Sequence, residues 1–160
     1  MDMKYFTINE LCRSDRAARM KIKNVPSVEE KENLTALVNE VLDPVREEIG
    51  HALRVSSGFR CKAVNDAISG SSRTSQHTKG EAADLVAGDK KENLRLAQII
   101  IKQGKFDQLI LENVPWAYLY PQWVHVSYKR EGKNRGQVLK KLAGTKGYTV
   151  INPKVVLEAK

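Results

Sequence analysis

The chain holds three histidines, and two of them sit where an imidazole could do chemistry. His77 lies in Ser75-Gln-His-Thr-Lys-Gly-Glu-Ala-Ala-Asp84, at the junction of a polar loop and a strand. Gly80 lets the backbone turn sharply there. An imidazole and a carboxylate seven residues apart can therefore face one cavity. His125 lies in Trp123-Val-His-Val-Ser127. Strand alternation sends Trp123, His125 and Ser127 to one face, and Val124 and Val126 to the other. Two histidines and one carboxylate, with a fourth position open to water, are a recurring catalytic zinc arrangement. A lone histidine on a strand is more often a hydrogen-bonded structural residue, and the spacing of His77 and Asp84 alone does not decide between the two.

The elements that must position these groups are readable from pattern. Thr7 and Glu10 have the spacing of a capping box before a short helix, and Ser27 and Glu30 repeat it before a longer one. In that second stretch Leu34, Leu37, Val38, Val41 and Leu42 recur at helical spacing and predict one buried face. Pro44 is expected to kink or interrupt the helix, which resumes through Val45 and Ile49 and stops at Gly50. Leu53 to Arg60 reads as a short strand with a glycine turn, Ser69 to Thr78 as a Ser- and Gly-rich loop, and Ala82 to Val86 as a strand. Lys90 to Gly104 carries Leu94, Ala97, Ile100 and Ile101 at helical spacing. Phe106 to Leu111 and Trp123 to Tyr128 are two more strands. Helices come first and strands mainly later, so the class is α+β: a small, mainly antiparallel sheet with N-terminal helices packed against it.

Bulk properties narrow the function further. The 160 residues suit one domain, 1–160, with the motif-bearing core at about 50–130. No stretch approaches the roughly 20 apolar residues that span a bilayer, so no membrane insertion is expected. The N-terminus lacks the apolar core of a secretory signal, and the expected location on synthesis is cytoplasmic. Cys12 and Cys61 are not in a Cys-x-x-Cys arrangement and read as reduced structural thiols. The net charge of +8 points to an anionic partner: nucleic acid, a membrane surface or an acidic polymer such as cell wall. No helix-turn-helix, zinc-finger or aromatic RNA-binding signature accompanies the charge, so nucleic acid is not the expected partner. The run of Lys and Arg after His125, from Lys129 to Lys146, is ordinarily a solvated face.

Read together, Ser57-Gly-Phe-Arg60, Ser75-x-His77-x-x-Gly80-x-Ala82-x-Asp84 and Trp123-x-His125-x-Ser127 resemble the zinc D-alanyl-D-alanine carboxypeptidase family. That family includes D-Ala-D-Ala dipeptidases and phage endolysins, and shares its metal-site fold with the hedgehog signalling domain. The resemblance runs from about Ser56 to Tyr128 in the family's order. It implies one Zn2+ held by His77, Asp84 and His125, with Arg60 holding a substrate carbonyl or carboxylate and Ser75 bonding the substrate backbone. Alone, Arg60 would read as a surface ion pair and Ser75 as a loop turn.

The implied activity is hydrolysis of D-amino-acid-containing amide bonds in peptidoglycan peptides, by a monomer. A phage-type lysis system is one route to the wall. The best-known members carry Asp or Glu three residues before the last histidine, where this chain has Gln122, which cannot act as a base. Glu112, ending the strand Phe106–Leu111, is the candidate base, and its alternative reading is a solvated carboxylate. Asp107 and Glu81 are weaker options. A non-catalytic zinc module that binds wall peptides is the competing function.

Overall fold

A computed structural model of the chain describes residues 3–68, 71–72 and 74–160. Ser69, Gly70 and Arg73 of the expected loop lie outside the described residues. The architecture is α+β, with six strands in the order β1-β2-β4-β3-β5-β6. These are β1 Arg54–Ser57, β2 Ala82–Val86, β3 Gln108–Val114, β4 Trp123–Ser127, β5 Gln137–Leu142 and β6 Thr149–Val150. Only the β3–β5 pairing is parallel.

The helical half is built as its caps and apolar spacing dictate. Helix α1 (Ile8–Cys12) starts at Thr7, whose hydroxyl accepts the Glu10 N–H. Helix α3 (Val28–Leu37) opens on Ser27 with both halves of the capping box formed by Ser27 and Glu30. Leu34, Leu37, Val38, Val41 and Leu42 are essentially fully buried, as their spacing requires. Each such side chain contributes about 1.5–3 kcal/mol by leaving water. Pro44 does not break the helix. Val38–Leu42 widens into a π turn that runs directly into α4 (Asp43–Ile49), where Pro44 occupies the first turn. The wider turn removes the carbonyl that a mid-helix proline ring would strike. Gly50, at φ +85°, ends the run.

Three short helices were not expected: α2 (Asp15–Met20), α5 (Lys62–Asp66) and the C-terminal one at Pro153–Glu158. All are too short for a periodic signal to show. Helix α6 (Lys90–Gln103) buries Leu94, Ala97 and Ile100 as expected, and Leu96 and Ile99 as well, while Ile101 is only half-buried. The face is wider than one stripe because α6 packs against α4, β3, β4 and the C-terminal helix α7 (Pro153–Glu158). Beyond Tyr128 the basic run is not simply a solvated face: Lys140 and Lys141 lie within β5, half-buried.

The helices hold the turn after β1 in place. A Cβ on Gly58 would lie 2.1 Å from the Leu11 carbonyl oxygen, so only glycine fits that approach. The Phe59 N–H donates to the same carbonyl at 2.7 Å. Asn24 adds a three-point clamp: its amide donates to the Cys12 and Phe59 carbonyls, and its oxygen accepts the Cys61 N–H. These contacts set the Gly58 carbonyl and the Arg60 backbone beside His77.

Candidate metal centre

Sheet register brings the chemistry together. Asp84 on β2 is directly opposite His125 on β4, and His125 is opposite Ile110 on β3. Alternation on β4 holds as expected, with Val124 and Val126 fully buried in the core. His77 arrives from a single 3₁₀ turn, Gln76–Lys79, capped by Ser75, whose hydroxyl accepts the His77 N–H at 3.3 Å. Gly80 ends that turn at φ +72°, and a Cβ there would sit 2.5 Å from the Glu30 carbonyl oxygen. The sharp turn between His77 and Asp84 therefore needs glycine for two reasons, conformation and space.

His77, Asp84 and His125 each offer a ligand atom, all within 4.8 Å of one another. The hydrogen bonds around them decide which nitrogens face inward. His77 Nδ1 lies 2.8 Å from the Gly58 carbonyl oxygen, an acceptor only, so Nδ1 carries the proton. His125 Nε2 lies 2.9 Å from Gln76 Oε1. The Gln76 amide donates to the Asp107 carboxylate at 3.2 Å, which fixes the oxygen end toward His125. His125 Nε2 must then be the protonated nitrogen. What remains is the Nε2 lone pair of His77, 3.4 Å from Asp84 Oδ1, and the Nδ1 lone pair of His125, 3.1 Å from the same oxygen. Three acceptors converge with no proton between them, which is the donor set a divalent cation satisfies. Two imidazoles and a carboxylate suit zinc.

Burial raises the Asp84 carboxyl, but whenever the His77 and His125 rings carry a second proton they outweigh that and hold it well below the usual range. Asp107 is no base. It is fully buried, paired to the Arg135 guanidinium at 2.8 and 3.0 Å, and accepts the Arg135 N–H as well. Its pairing holds it ionised and anchors Gln76. This Arg135–Asp107–Gln76–His125 chain has no signature in the sequence, because its members are scattered and only tertiary contact links them. The one available clue was an amide immediately before His77. Outer partners of this kind set ligand orientation and basicity. Gln76→Leu, which leaves the His125 Nε2–H without its acceptor, is expected to weaken zinc binding about 10- to 100-fold. Competition with a chromophoric chelator measures this, and unchanged affinity would show that His125 is oriented by something else.

Glu112 does not end a strand in solvent. It lies inside β3 and is 8% exposed, directly opposite Trp123. Burial, then the negative charge of Asp84, raises its carboxyl to about 7, against smaller opposing effects of His125 and Lys141. Gln122 is occupied elsewhere: its oxygen accepts from the Asn113 amide at 2.5 Å. Arg60 lies near Asp84, whose charge partly offsets the loss of water that lowers its guanidinium. Its Nε is buried and has no hydrogen-bond partner among the described residues. Glu81, the other weak option for a base, is raised by burial, with Lys79 and Lys129 opposing.

The mainly antiparallel sheet and the turn before β2 bring two imidazoles and a carboxylate to one point, a candidate metal site in an α+β fold. The chain belongs to the peptidase M15 family, whose model matches residues 4–127. No curated protein matches the chain. Peptidases of this family are zinc-dependent, and the His77–Asp84–His125 cluster could hold that ion. The matched segment ends with β4. Strands β5 and β6 and helix α7 follow it.

Proposed function

We propose that the chain is a zinc peptidase that hydrolyses amide bonds in D-amino-acid-containing peptidoglycan peptides. The observation that carries the reading is Glu112, a buried carboxyl on the same face of the sheet as His125 and Asp84. A carboxyl there is placed to take a proton from an attacking water and later return it to the leaving amine.

In this reading His77 Nε2, Asp84 Oδ1 and His125 Nδ1 hold the ion. A zinc ion there supplies Lewis acidity, acidifying a water and polarising the scissile carbonyl. Glu112 removes a proton from the attacking water as its oxygen bonds to the carbonyl carbon. The same carboxyl then protonates the nitrogen as the C–N bond breaks. Arg60, with an unpartnered buried Nε, offers a planar fork to a substrate carbonyl or carboxylate. The Ser75 hydroxyl accepts from His77 N–H and keeps its own proton to donate to the substrate backbone.

The D-residue and wall assignments rest on the resemblance of the motifs, supported by a net charge of +8 that suits an anionic wall. Every proposed group comes from one chain, so a monomer suffices. None of the described helices is long and apolar enough to cross a membrane, and release through a phage-type lysis system belongs to the same proposal.

Digestion of purified peptidoglycan, with mass spectrometry of the products, tests the reading. Peptide fragments should appear, and a chelator should stop their release. Chelator-insensitive cleavage would remove the ion from the mechanism. Zinc binding with no cleavage would make the chain a non-catalytic binding module.

A further inference from the structure

The family match ends at Ser127, yet the sheet continues past it on the side that carries the ligands. Asp84, His125, Ile110, Leu139 and Val150 form one row across five strands. The next row is Trp123 and Glu112, a direct pair. Leu111 is opposite Lys140, and Lys140 is opposite Thr149. Glu112 and Lys141 are the next residues along β3 and β5, and Tyr148 immediately precedes β6. Strand β3 gains a residue against β5 between Leu111 and Val114, with Asn113 at φ +55°. Bulges of this kind re-aim side chains beside functional sites.

We propose that Lys141 and Tyr148 form a subsite for a substrate carboxylate, beside Glu112 on the ligand-bearing face of the sheet. Lys141 has no ion-pair partner among the described residues, and the Tyr148 hydroxyl has no hydrogen-bond partner among them. Both lie within electrostatic reach of the centre. The Lys141 ammonium acts on the Glu112 carboxyl, and the charges of Glu112 and Asp84, after burial, act on the Tyr148 phenol. Tyr148 therefore stays protonated at neutral pH and can only donate to an anion.

The chemistry selects the ligand. One ammonium and one phenolic O–H present two donors, which match the two oxygens of a carboxylate. Glu112 and Asp84 would repel a second substrate carboxylate entering this face, and Lys141 offsets that repulsion. Leu139 and Val150, in the adjacent row, give an apolar floor for a small side chain next to the bound carboxylate. The subsite thus reads whether a carboxyl group flanking the scissile amide is free or amidated. This deepens the peptidase reading and rests on it.

The test uses the zinc-loaded full chain and two wall-type peptides that differ only in whether that flanking carboxyl is free or a carboxamide. KM and kcat are measured for each, together with calorimetric binding of both peptides. The free carboxylate should be preferred about tenfold in KM, the scale of one charge-assisted hydrogen bond. Lys141→Met should bring that ratio close to one, Tyr148→Phe should reduce it several-fold, and Lys141→Glu should invert it. Lys154→Met, which removes the same charge from α7, should leave the ratio as in the parent chain. A ratio unchanged in Lys141→Met, or lost equally in Lys154→Met, overturns the subsite. Calorimetric discrimination that is lost in Lys141→Met without any turnover would support the subsite and defeat the peptidase reading instead.

Discussion

Glu112→Gln should lower kcat about 100- to 10,000-fold while leaving zinc affinity near that of the parent chain. The substitution keeps the size of the side chain and removes its ability to take a proton. The three ligand atoms come from other residues, so the ion should still bind. The same change should make the metal-free protein more stable at neutral pH, because Glu112 is held there at a cost. Its carboxyl rises from 4.5 to about 7 on folding, chiefly through burial and then through the charge of Asp84. Between those values the folded chain binds more protons than the unfolded one, so stability falls as pH rises through the window. Above pH 7 the ionised, buried carboxylate costs up to about 3 kcal/mol, at about 1.4 kcal/mol per pKa unit. Metal-free Glu112→Gln should therefore unfold several degrees above the parent at pH 8, with the gap closing toward pH 4. Identical stability profiles would mean that Glu112 is not buried beside Asp84. Full turnover in Glu112→Gln would remove it as the base.

The sequence made the centre legible because its parts are local. His77, Gly80 and Asp84 lie within one short segment, and His125 sits on a strand whose alternation is unambiguous. The buried faces of α3 and α6 were visible for the same reason, since helical periodicity survives whatever packs against it. Glu112, read from the sequence as ending a strand, lies inside β3 and is buried. Strand β3 runs on to Val114 past a polar Glu-Asn pair that reads as a strand end. The C-terminal hairpin was hidden by composition. In Gln137-Val-Leu-Lys-Lys-Leu142 two adjacent lysines obscure the alternation, although Lys140 pairs with Leu111 inside the sheet. The support behind His125 was invisible for a different reason. Gln76, Asp107 and Arg135 are 31 and 28 residues apart, and no periodicity links an amide to an ion pair at that distance.

Asp84→Asn should weaken zinc binding by at least about 100-fold, more than the loss of any outer partner such as Gln76. The argument turns on charge, because asparagine keeps the shape and can still accept a hydrogen bond. In the parent chain one anionic oxygen lies 3.4 Å from His77 Nε2 and 3.1 Å from His125 Nδ1, and both rings are pinned from behind. The pinning means that neither imidazole can exchange nitrogens to compensate. Two neutral imidazoles and an amide oxygen leave a divalent cation with no anionic ligand. A ligand that binds only the folded chain stabilises it by about 4 kcal/mol at a thousand times its Kd. In a chain of this size that raises the unfolding midpoint by roughly 10 °C. Zinc should produce such a shift in the parent and almost none in Asp84→Asn at the same concentration. Both proteins should show the same far-ultraviolet spectrum without metal, since Asp84 faces the cluster and the core lies on the opposite side of the sheet. A full zinc-induced shift in Asp84→Asn would place the ion elsewhere, and the roles assigned to Gln76 and Glu112 would fall with it.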